Sequence, residues 1–83
     1  MLNNNLDNAF RKMSSEMKLR LDGYVSDFKN KFKTEDGAYC SVVSYCSALY
    51  DCGILRMIER VELSCYYRTL LAEIEIEHNN TKK

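Results

Sequence analysis

The sequence predicts an all-α fold, a three-helix antiparallel bundle with a long first helix, assembled as a dimer. Apolar residues recur at helical spacing from Leu6 to Phe32, and Gly37 and Gly53 divide the rest into two further helical segments. No proline, internal repeat or strand-length alternation competes, apart from Glu73 to Glu77, where Ile74 and Ile76 alternate with the carboxylates.

The first segment carries the clearest signal. Leu6, Phe10, Met13, Met17, Leu21, Tyr24, Phe28 and Phe32 follow one another at steps of three or four. At 3.6 residues per turn they share one face, spanning roughly 100°, with charged and small polar residues between them. Asn3, Asn4, Asn5 and Asp7 supply candidate N-caps, because their side chains accept from the free amides of a first turn. The stripe keeps its phase across Gly23, so a single helix over about residues 4–33 is expected, with Gly23 as its weak point at about 1 kcal/mol relative to alanine.

Thr34-Glu35-Asp36-Gly37 reads as a turn, with Thr34 or Asp36 available to cap a second helix over 38–52. That helix has a broad apolar arc, Tyr39, Val42, Val43, Cys46, Leu49 and Tyr50, and a far side of small residues open to close packing. Gly53 is placed as the glycine just past its end, followed by Ile54. A third helix over 55–77 and a polar tail over 78–83 complete a single helical domain, 1–83. Its apolar residues change sides near 62–65. Ile54, Met57, Ile58, Val61 and Cys65 share one face, while Leu63, Tyr66, Tyr67, Leu70, Leu71 and Ile74 centre about 180° away. Either the helix breaks there or its halves meet different partners.

Composition narrows the function classes. With 46% hydrophobic and 29% charged residues the chain is globular, and its formal net charge is zero. Residues 1–34 hold seven Lys/Arg against four Asp/Glu (+3), and residues 35–83 five against eight (−3), so neither part is basic enough to announce nucleic acid. Met1 to Asp7 is polar with no apolar run after it, and no stretch approaches the ~20 apolar residues of a membrane span. A cytoplasmic chain with reduced cysteines is expected.

Cys40, Cys46 and Cys52 are six apart, with Cys65 further on. Zinc ligands pair at two to four intervening residues, whereas six positions rotate a helix by about 240° and point the thiols apart. The cysteines read as small buried hydrophobes and not as metal ligands or disulfides. His78 is the single histidine and lies in the tail, so no cysteine or serine has an evident base. No glycine-rich phosphate loop is present. A non-enzymatic chain without cofactor or metal is expected.

Two binding readings remain. In the first the chain is a small protein-interaction protein. Its shortness, Asn/Lys-rich ends and lack of a catalytic signature are shared with phage and mobile-element accessory proteins, some of which inhibit or regulate host defence proteins. A helix of about 28 residues would be about 42 Å long, beyond a compact chain whose radius of gyration is about 12 Å. Part of its stripe then needs a second chain, and the expected partner is a homodimer mate or another protein. The expected interface is Leu63, Tyr66, Tyr67, Leu70, Leu71 and Ile74, since tyrosine is apolar in body and polar at its tip. The alternative is a helix-turn-helix nucleic-acid binder over 41–63, with Arg56 and Arg60 opening its second helix. Glu59 and Glu62 on that helix oppose it, as does the five-residue step from Ala48 to Gly53.

Overall fold

The computed structural model describes residues 4–81; Asn3 of the expected caps and Lys82 and Lys83 of the expected tail lie outside them. Four helices follow one another: α1 (Asn4–Lys12), α2 (Ser15–Lys29), α3 (Glu35–Asp51) and α4 (Met57–Thr81). No strand occurs among the described residues, and Glu73 to Glu77 is helical within α4.

The expected single helix over 4–33 is two helices, and the count among the described residues is four, not three. The break falls at Ser14 and not at Gly23. Ser14 is extended (φ −70°, ψ 167°) and its hydroxyl accepts from the Met17 amide at 3.2 Å. In return the Ser14 amide donates to the Met17 thioether at 3.4 Å. This reciprocal pair is a capping box with methionine in the acidic position, and it satisfies donors that a new helix start leaves open. Gly23 sits in the interior of α2 with nothing near its missing Cβ. A glycine weakens a helix but offers the backbone no competing partner, whereas serine does.

The break also removes the length argument for a dimer. α1 packs on α4, and the molecule measures 44 × 29 × 19 Å with a radius of gyration of 13.2 Å. Of the stripe, Met13, Leu21 and Phe28 are buried, Leu6, Phe10, Met17 and Tyr24 pack against the core, and Ala9 and Val25 join it. Phe32 is 79% exposed. The cause is the end of α2, where Lys31 takes φ 65° and the amides of Lys31 and Phe32 bond the carbonyls of Phe28 and Asp27. That is a Schellman turn with lysine in the left-handed position, and it carries Phe32 off the helical stripe.

α3 starts one turn earlier than expected, capped by Thr34, whose hydroxyl accepts from the Gly37 amide at 3.0 Å. It ends in a second Schellman turn, with Gly53 at φ 81° and Ile54 bonding back to Leu49. α4 then runs unbroken through 62–65 and on past 77, so the expected tail is helical to Thr81. His78 is half-buried, its ring 5.2 Å from that of Phe28. α3 and α4 are antiparallel, since Tyr39 meets Arg68 at one end and Tyr50 meets Arg60 at the other. α4 packs against all three other helices, and α2 also packs on α3. The centre of the core is Leu21, Val42, Cys46, Leu63 and Leu71, none with accessible surface.

Candidate interaction surface

The six residues expected as an interface divide unequally. Leu63, Tyr67, Leu71 and Ile74 are buried in the chain's own core, and Leu70 is half-buried against it. Burial, with the nearby Asp22 charge, pushes the Tyr67 hydroxyl far above the usual tyrosine value. Tyr66 is 42% exposed, but its ring sits edge-on to Phe10 of α1 at 5.5 Å and to Tyr67 at 5.1 Å. This face holds α1 and the core together, and is not a free surface.

The apparent change of sides in α4 has a different origin. Glu59, Leu63, Tyr67, Leu71 and Ile74 form one continuous inward stripe at steps of four and three. Its first member is a carboxylate with no accessible surface. Counting only apolar residues hides the stripe's beginning and suggests that Met57, Ile58 and Val61 face inward. They face out, at 48, 43 and 43% exposure.

Glu59 is inward because the start of α4 needs an acceptor. Its Oε1 accepts from the Arg56 amide at 2.7 Å and from Lys12 Nζ of α1 at 2.7 Å. The first contact is the acidic half of a capping box, placed where the helix dipole also favours negative charge. The second ties the end of α1 to the start of α4. Oε2 lies 3.4 Å from Arg56 Nε but out of line, and accepts no hydrogen bond. Burial is the largest single influence on Glu59 and raises its pKa; the hydrogen bonds and charges of Arg56 and Lys12 together outweigh it and hold the carboxyl below its usual value.

On the outer side, α3 and α4 leave a groove between Tyr39, Val43 and Ser47 on one wall and Val61, Ser64 and Cys65 on the other. Ile58 and Met57 extend the apolar strip along α4. Two cation–π pairs frame it: Arg60 lies over the Tyr50 ring at 5.2 Å and Arg68 over Tyr39 at 4.6 Å. Arg60 also donates to Ser47 Oγ at 3.4 Å and approaches the Met57 sulfur at 3.0 Å. Other large exposed apolar side chains, Leu19 on α2, Phe32 in its turn and Ile76 late in α4, stand on other parts of the surface.

Arg56 and Arg60, paired in the nucleic-acid alternative, have different surroundings. Arg56 turns to Glu59 and to Asn5 Oδ1 at 3.3 Å, while Arg60 belongs to the α3–α4 groove. All four cysteines are free, but the expectation that they are buried hydrophobes holds for Cys46 alone; Cys40, Cys52 and Cys65 are exposed. Burial pushes the Cys46 thiol up against the opposing influence of a Ser64 hydrogen bond and the Arg60 charge, which leaves it a core residue with little thiolate. Among the described residues no helix is long and apolar enough to cross a membrane. No protein-family model, curated protein or solved structure matches this chain.

Proposed function

We propose that this chain is a non-enzymatic protein-interaction protein, an inhibitor or regulator that acts by occupying a surface of another protein through the outer face of α3 and α4. The observation that carries this reading is the adjacency of Met57, Ile58 and Val61, three large apolar side chains left in solvent beside the α3–α4 groove while a carboxylate takes the inward position among them. Scattered exposed apolar residues are ordinary, but a contiguous strip costs solubility unless something covers it. The tyrosines and arginines along the groove are residue types that carry much of the energy of protein interfaces.

The test compares wild type with an Ile58→Glu/Val61→Glu variant, each immobilised and exposed to a lysate of the cell that encodes the chain. Circular dichroism first establishes equal helicity. A protein retained by wild type and reduced at least roughly tenfold on the variant is the expected result. Equal retention by both would remove this face from the function.

A further inference from the structure

The groove between α3 and α4 has a charge pattern that its interaction role does not by itself require. The walls named above carry no carboxylate; the cations that frame them are Arg60 and Arg68. Among the described residues neither guanidinium is in an ion pair. Each instead lies over an aromatic ring. Arg60 also donates to Ser47 and the Met57 sulfur, and a guanidinium has five N–H donors, so others are left for a ligand. Such a fork suits a carboxylate, and because the ring already orders the long side chain, less entropy is lost on pairing. The two arginines are eight residues apart on one helix, or about 12 Å along its axis.

A second copy of the chain fits this pattern poorly. The midpoint of Arg60 and Arg68 is Ser64, in the groove wall. A twofold axis there would set Arg60 of one copy against Arg68 of the other at both ends of the contact, and facing like charges disfavour association. Nucleic acid would meet the two cations but leaves the apolar strip between and beside them without a counterpart.

We propose, building on the interaction reading above, that the groove docks an acidic amphipathic helix of a partner protein. Two carboxylates seven or eight residues apart on that helix reach Arg60 and Arg68, and its apolar side chains between them lie on Val43, Val61 and Cys65. Seven to eight helical residues span about 11–12 Å, the axial spacing of the two arginine backbones. The small Ser47, Ser64 and Cys65 let the docked helix approach closely.

The probe is a fluorescent helical peptide of about fifteen residues, with two glutamates seven positions apart and two leucines between them on the same face. Its anisotropy is followed on titration with the full chain. Binding is expected to weaken about tenfold or more in Arg60→Glu/Arg68→Glu, and a peptide with lysines in place of the glutamates is expected to bind that variant and not wild type. If charge reversal disturbs helicity, Arg60→Gln/Arg68→Gln carries the same comparison with a smaller loss. The proposal is overturned if the acidic peptide does not bind at millimolar concentration, or if the lysine peptide binds wild type equally well. It is also overturned if light scattering shows a wild-type dimer that Val61→Glu dissociates, which makes the occupant a second copy. Binding of a DNA duplex that depends on both arginines and not on Val61 would overturn it in favour of nucleic acid. If the peptide fails while Ile58→Glu/Val61→Glu still abolishes partner capture, the acidic helix is wrong and the interaction role stands.

Discussion

In its first half α4 turns Glu59 and Leu63 inward and leaves Met57, Ile58 and Val61 in solvent; in its second half Tyr67, Leu71 and Ile74 go inward and Arg68, Thr69 and Glu73 stay out. The second half follows the usual amphipathic rule. The first departs from it at the one place where a helix has unsatisfied amides, its N-terminus, and the buried carboxylate answers that local need. The Lys12 ammonium and the capping amide offset most of the cost of removing the charge from water. Apolar side chains displaced from the interior then become surface, so the same residues that complicate the core create the strip proposed to bind.

This comparison is most directly attacked through the core. Leu71→Ala and Leu63→Ala are expected to cost about 2–5 kcal/mol each in urea unfolding, as large-to-small changes at sites without accessible surface. A severe effect at Leu71 with almost none at Leu63 would mean that the first half of α4 is not anchored as described. Glu59 is the next largest. Glu59→Ala should lose about 2 kcal/mol, because it removes both the cap and the tie to α1, while Lys12, 39% exposed, is left free to hydrate. Glu59→Leu should recover part of that loss by continuing the stripe with an apolar side chain.

The Glu59 contribution has a defined pH dependence. Its folded pKa is lowered, so its stabilisation is complete above the unfolded value of about 4.3 and is lost as pH falls through the folded value. The stability gap between wild type and Glu59→Gln, followed by urea melts, should therefore narrow from about pH 5 downward. A gap that widens on acidification would reverse the assignment. The smallest effect on folding is expected at the outer strip: Val61→Glu should change stability by no more than about 0.5 kcal/mol while it abolishes binding. Unfolding by this substitution would place Val61 in the core and close the distinction between the two faces.

The helical class and most of the core follow from spacing alone. Leu21, Phe28, Val42, Cys46 and Leu49 lie on stripes that any helical reading finds, and Gly53 marks its turn because glycine enters the left-handed region without penalty. Lys31 makes the same turn at the end of α2 with no such mark, since a single left-handed lysine costs only about 1–2 kcal/mol and nearby packing can impose it. The break at Ser14 leaves no mark on the period, because Met13 and Met17, on either side of it, still pack inward. Glu59 is the residue on which the reading of α4 turns. A carboxylate three positions after the residue preceding a helix is an N-terminal signal; with Glu59 inward the stripe is continuous, Leu63, Tyr67 and Leu71 fall in the core, and Val61 faces out.

The attachment of α1 sets a hierarchy of opening. Nine residues are too few to sustain a helix without tertiary support, and α1 draws its principal support from α4. The extended Ser14 gives it a ready point of separation from α2. Its amides should therefore exchange with solvent through a local excursion well below the free energy of global unfolding, while those around Val42 and Cys46 wait for the whole bundle to open. Loss of the Lys12–Glu59 tie lowers that first step selectively, making α1 more readily reached by a protease.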